Sequence, residues 1–187
     1  SVHEVLKRLN EHAINVDLIC ELIAYIDVEL EEGAILIFVP GIVEISAIVR
    51  QLENSRQLDP ERFVLLSLHS TLTSKAPPAV FRPVPPGVRE VVVATNIAET
   101  SITIDDAVFV IDTGRAKVSM YDERKMMRRL VEQWISRAEA KQRAGRAGRV
   151  RPGHAFKLYT RRREEERFIA ARIPGMLRAP LQDLCLQ

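Results

Sequence analysis

The sequence predicts an α/β fold: an open, mostly parallel sheet flanked by helices, with an inserted β-hairpin. Three observations predict it. Short apolar runs recur at Ile35–Val39, which is wholly apolar, and at Phe63–Leu68, Val91–Thr95, Val108–Ile111 and Ala155–Tyr159, the pattern of strands buried on both faces. Stretches with helical spacing or turn signals separate those runs, which is how parallel strands are connected. With 187 residues and 47% hydrophobic content, the chain is long enough for a real core and too apolar for disorder.

The elements follow in order. Leu18, Ile19, Leu22, Ile23, Ile26 and Leu30 form one stripe of an amphipathic helix over residues 16–30, and Gly33 closes that region. The first strand ends at Pro40-Gly41. Ile42, Ile45, Val49 and Leu52 then return to helical spacing. Pro77, Pro78, Pro83, Pro85 and Pro86 make residues 77–87 a stiff connector, with room for one helical turn at Ala79-Val80-Phe81. Residues 116–131 break the alternation with mixed polar, apolar and charged residues, and read as an inserted β-hairpin or a solvated loop. Ser136-Arg137-Ala138-Glu139 fits a capping box, so a helix starts near Arg137. From Pro174 to Gln187, Leu177, Leu181, Leu184 and Leu186 look like the start of another packed element, and the chain reads as a fragment of a longer protein.

Charge is distributed unevenly. Residues 115–163 hold 16 Lys and Arg against 4 Asp and Glu, a balance of +12, whereas the remainder holds 11 against 21. One contiguous stretch therefore carries the positive field, the footprint of a polyanion binder. Cys20 and Cys185 are far apart, there is no CxxC, and the four histidines are scattered. A disulfide framework or a zinc site is not expected. No apolar run reaches the length of a membrane span, and Ser1-Val2-His3-Glu4 does not open a signal peptide. Reduced thiols in a cytoplasmic or nuclear protein are the simplest reading.

The densest chemical signal is Gln142-Arg143-Ala144-Gly145-Arg146-Ala147-Gly148-Arg149. If the helix begun at Arg137 continues, Gln142, Arg146 and Arg149 share one face and Arg143 points away from it. The small residues would then leave two guanidinium groups unshielded, each a planar fork of donors suited to phosphate oxygens. A solvated basic face is the bland alternative. A second segment, Ala94 to Asp105, follows a strand and is rich in hydroxyl and carboxamide groups. Such a turn can present N–H and O–H donors to a phosphate chain, or merely cap a helix. Pro40-Gly41, His69-Ser70 and Asp112-Thr113-Gly114 also follow strands, where open α/β sheets bind ligands.

Together the two segments resemble motifs V and VI of the DEAH-box RNA helicases of superfamily 2. Ile35–Gly41 looks like their motif IV, and Leu68-His69-Ser70 like the segment after the next strand. Val80-Phe81, Pro83–Gly87 and Val110–Gly114 match as well, and Thr113-Gly114-Arg115 is closer to the RNA helicase A-like branch. The resemblance covers residues 33–185. It implies the second RecA-like domain over residues 33–163, with 1–32 a leading helical segment of the same domain and 164–187 a helix and the start of a following domain.

The resemblance further implies that Arg146 and Arg149 are arginine fingers toward ATP, with Gln142 positioning the attacking water or the γ-phosphate. Phe81 would stack on the adenine, a role the residue pattern leaves open against plain burial. Asp105 would bind the ribose with support from Thr103. Thr100, Asn96, Ser70 and Gly41 would touch single-stranded RNA. Mg²⁺ would be held by the first RecA-like domain, because this chain has neither GxxxxGK[ST] nor Asp-Glu-x-His. Ala76-Pro77-Pro78 departs from the polar pair usual in the family before Phe81. An RNA-binding module without ATPase activity and an NTP-driven DNA helicase are the rival readings.

Overall fold

The computed structural model describes residues 10, 13–55, 59, 61–69, 84–96, 107–122, 125–148 and 151–172. Helix α1 (Val16–Glu29) leads into strand β1 (Ala34–Phe38) and helix α2 (Ile42–Glu53). Strands β2 (Phe63–Leu68), β3 (Arg89–Ala94) and β4 (Ala107–Asp112) follow. Strands β5 (Arg115–Asp122) and β6 (Met127–Trp134), helix α3 (Arg137–Ala144), strand β7 (His154–Lys157) and helix α4 (Arg161–Arg167) follow among the described residues. Five strands form one sheet in the order β2-β3-β1-β4-β7, with every pairing parallel. The five apolar runs of the sequence are its strands.

Alternation along each strand sorts the core into two faces. Ile35, Ile37, Val91, Val93, Phe109 and Ile111 pack on one face against Ile19, Ile23 and Ile26 of α1 and Ile45, Ile48 and Leu52 of α2. Leu36, Phe38, Val92, Ala94 and Val110 form the other face, where Ala147 packs. Asn15 caps α1 by accepting from the Leu18 N–H at 3.0 Å, satisfying one of the free donors of the first turn. The far end of α1 is tied to the sheet by Arg89, which is only 8% exposed. Its guanidinium donates to Asp27 at 3.0 Å, to the Gly33 carbonyl at 2.9 Å and to the Glu31 carbonyl at 3.2 Å.

The inserted hairpin is present. Strands β5 and β6 pair antiparallel from Arg115↔Trp134 to Asp122↔Met127, slightly longer than the 116–131 read from the sequence. Met126 has φ 50 at the turn. The base closes where the Ile135 N–H donates to the Gly114 carbonyl at 2.9 Å. There the Arg115 guanidinium lies 4.0 Å and that of Arg163 5.5 Å from the Trp134 ring, and Phe168 stacks on the same indole at 5.7 Å. Residues beyond α4 turn back onto the start of α3. The Arg137 N–H donates to Ile169, the Ala138 N–H to Ala170, and Arg172 reaches Glu139 at 2.8 Å. The helical turn expected at Ala79–Phe81 and the element expected from Pro174 lie outside the described residues.

Candidate functional site

Strand β4 carries a carboxylate at its very end. Asp112 is 3% exposed, and a buried carboxylate must be hydrogen-bonded on both oxygens to be tolerated. Three chain segments satisfy it. Oδ1 accepts from the Gly114 N–H at 2.8 Å and from Arg143 Nη1 at 2.8 Å, and Oδ2 accepts from the Tyr159 hydroxyl at 3.3 Å. Burial, followed by the charge of Asp112, pushes the Tyr159 pKa far up, so the phenol stays a donor. Gly114 takes φ +71, and a Cβ there would stand 2.6 Å from the Tyr159 ring. Both conditions call for glycine.

Arg143 is fully buried. The same Nη1 donates to the Arg115 carbonyl at 3.2 Å, and the guanidinium lies 4.8 Å from the centre of the Phe38 ring. One side chain thus joins α3, the end of β4, the end of β1 and the first residue of the hairpin. Sequence reading gave Arg143 no role beyond pointing away from the finger face. Its partner is 31 residues distant, but a signal existed: an aspartate closing a wholly apolar strand requires a buried cation somewhere.

Helix α3 begins as the capping box requires. The Glu139 N–H donates to Ser136 Oγ at 3.2 Å, and the Ser136 N–H donates back to Glu139 Oε2 at 2.6 Å. Burial alone would raise the Glu139 pKa, but the bonds from Ser136 and Arg172 outweigh it and hold the carboxyl below its ordinary range. The helix ends sooner than a shared face for Gln142, Arg146 and Arg149 requires. It stops at Ala144, and Gly145 to Gly148 form tight turns in which the Arg146 N–H donates to the Arg143 carbonyl at 3.0 Å and the Ala147 N–H to Ala144 at 3.1 Å. Gly148 adopts φ +86, which ends any helical path.

Gln142 is exposed on the last helical turn, whereas Arg146 is 8% exposed and engaged by the protein's own groups. The glycines and alanines therefore do not leave Arg146 unshielded. They let the turn fold tightly.

Among the other expected site residues, Gly41 is buried at the start of α2, and a Cβ there would meet Lys117 Nζ at 2.5 Å. Asn96 is exposed just past the end of β3. The ends of β1, β3 and β4 are adjacent, so Gly41, Asn96 and the Asp112–Gly114 corner share one rim of the sheet. Ser70, Phe81, Thr100, Thr103, Asp105 and Arg149 lie outside the described residues.

The basic stretch is more neutralised than its composition suggests. Arg115 pairs with Glu132, Lys157 with Glu164, Arg161 with Glu165 and Arg162 with Glu166, three of those acids lying just past its end. Among the described residues no cluster of His, Cys, Asp and Glu could hold a metal ion, and no helix is long and apolar enough to cross a membrane.

The same arrangement exists in known proteins. The crystal structure of the Escherichia coli DExH-box NTPase HrpB superposes with a TM-score of 0.78 at 34% identity, covering 92% of this chain and 21% of that one. The architecture is therefore that of a RecA-like helicase domain. Residues 15–151 match the model of the helicase conserved C-terminal domain. The ATP-dependent RNA helicase DHX29 of Homo sapiens is 50% identical over 95% of this chain and 13% of its own length. The DExH-box ATP-dependent RNA helicase DExH4, chloroplastic, of Arabidopsis thaliana is 47% identical over 98% of this chain and 13% of its own. The ATP-dependent DNA/RNA helicase DHX36 of Rattus norvegicus is 44% identical over the whole chain, which spans 19% of it. This chain belongs to the helicase C-terminal domain family, in its DExH-box branch.

Proposed function

We propose that this chain is the second motor domain of an ATP-dependent RNA helicase, lending Arg146 and Arg149 as fingers to an ATP bound by a first RecA-like domain of the same polypeptide. The observation that carries this reading is the turn Gly145–Gly148, which holds Arg146 at the end of a helix pinned to the sheet by a buried ion pair. Guanidinium donors suit phosphate oxygens, and in this reading Gln142, exposed one turn earlier, orients water or the γ-phosphate. Arg146 is 8% exposed in this domain, and in this reading domain closure around ATP brings its guanidinium to the phosphates. ATP supplies the bond to be broken, and Mg²⁺ is assigned to the other domain.

In this reading single-stranded RNA crosses the rim at Gly41, Ser70, Asn96 and Thr100. Phe81 stacks on the adenine, and Asp105, supported by Thr103, binds the ribose. Residues 1–163 form the motor domain, and 164–187 lead toward a following one. The protein works in the cytoplasm or nucleus.

The test is RNA-stimulated ATPase of the full-length protein. Arg146→Ala or Arg149→Ala lowers kcat by about 10³-fold or more. ATP binding weakens less, because the fingers act most in the transition state. Near-normal turnover in both variants would refute the assignment. DNA is a second candidate substrate, supported by the likeness to DHX36, an ATP-dependent DNA/RNA helicase. Greater stimulation by DNA than by RNA of the same sequence would shift the reading there. A full-length protein that binds RNA without hydrolysing ATP would instead be an RNA-binding module.

A further inference from the structure

We infer that Arg143 is a positioning residue for ATP hydrolysis, acting through Arg146, with Asp112 as its mount; this rests on the finger reading above. Arg143 touches the finger turn through its backbone and the sheet through its side chain. Its carbonyl accepts from the N–H groups of Gly145 and Arg146, the latter at 3.0 Å. Its guanidinium, fully buried, is fixed to Asp112 at 2.8 Å and to the Arg115 carbonyl at 3.2 Å. The path from β4 to the Arg146 backbone therefore runs through one residue.

The mount is stiff because each part of it is held from elsewhere. Asp112 is also bound by the Gly114 N–H and the Tyr159 hydroxyl. The Phe38 ring covers the guanidinium. A lysine at position 143 keeps the charge but carries it on a flexible stem, and has no flat guanidinium to lie over the Phe38 ring. The pairing can persist in such a variant while its geometry loosens, and finger catalysis is sensitive to geometry. The same guanidinium holds the first residue of the hairpin, so the finger turn and the hairpin base share one fixed point.

The experiment is a double-mutant cycle in the full-length helicase, combining Arg143→Lys with Arg146→Ala and reading single-turnover ATP hydrolysis on single-stranded RNA. Arg143→Lys alone lowers the hydrolysis rate by about 3- to 30-fold, the span of coupling energies between linked residues. The KM for ATP stays within about twofold, since the loss falls on the transition state. In the Arg146→Ala background, Arg143→Lys causes no further loss, because the group it positions is gone. Equal fold losses in both backgrounds, or a wild-type rate for Arg143→Lys, overturn the inference.

If Arg143→Lys does not fold, Tyr159→Phe takes its place. It removes one hydrogen bond to Asp112 and leaves the ion pair, and a smaller loss with the same non-additivity is expected. An additive loss or none overturns the inference in that arm too. Near-normal hydrolysis by Arg146→Ala removes the finger reading and this inference together. A strongly slowed Arg146→Ala with additive losses removes the inference alone.

Discussion

Gly153→Ala should slow ATP hydrolysis without touching any group that meets the nucleotide. Gly153 lies where the segment before β7 passes between strand β4 and the Gly145–Gly148 turn. A Cβ there would stand 2.5 Å from the Val108 carbonyl oxygen, 2.7 Å from the Gly148 nitrogen and 3.1 Å from the Ala147 carbonyl carbon. All three are backbone atoms, so no side chain can rotate away. Restoring tolerable contacts requires the turn and the strand to part by about 0.5–0.8 Å. Overpacking of this kind costs about 1–3 kcal/mol, which a folded domain can absorb. The displaced element carries Arg146, however, and a misplacement of about 1 Å can cost about 10²-fold in rate.

The expected result in the full-length protein is a fall in RNA-stimulated kcat of about tenfold or more, with little change in KM for ATP. The assay is steady-state ATPase at saturating RNA, with circular dichroism as the check on folding. A folded Gly153→Ala protein with kcat within about twofold of the parent would refute the reasoning, because it would show that hydrolysis tolerates a shifted turn.

Further outcomes are expected. The isolated 187-residue chain should show no ATPase, since it has neither the phosphate cradle nor the metal-binding acids; turnover surviving a contamination control would contradict the half-site reading. Phe81→Ala in the full-length protein should raise the KM for ATP several-fold with RNA binding kept, whereas a stability loss of about 3–5 kcal/mol would mark Phe81 as core. Replacing residues 119–128 by a short Gly-Ser turn should abolish duplex unwinding and largely spare ATPase, because Met120, Met126 and Met127 are exposed on the hairpin while its mounted base is untouched. The log–log salt slope of RNA binding should fall by about 0.7 per lost phosphate contact, and unchanged unwinding with an unchanged slope would leave the hairpin without a part.

The fold was legible where its determinants are local. Ile35–Val39 is apolar at every position, as a central parallel strand must be, and Ser136 with Glu139 announces the start of α3 within four residues. The end of α3 was not legible. Gly145 is tolerated within a helix, and only the left-handed Gly148 together with the packing of Gly153 against the turn shows that the chain has left it. The arginines were recognised but misjudged in environment. Arg146 reads as unshielded among alanines and glycines and is 8% exposed, whereas Arg143 reads only as pointing away from that face and is buried against the Asp112 carboxylate and the Phe38 ring. Long-range partnership of this kind has no periodicity to betray it.

The chain contains a single tryptophan, and it sits at the root of the hairpin against the cations of Arg115 and Arg163. The domain therefore carries its own optical probe at a mechanically informative place. If RNA prises the hairpin away from α4, the indole loses its flanking guanidinium groups and gains water, and its emission moves to longer wavelength. Fluorescence of the unlabelled chain, titrated with single strands and with duplexes, can follow that root opening in real time.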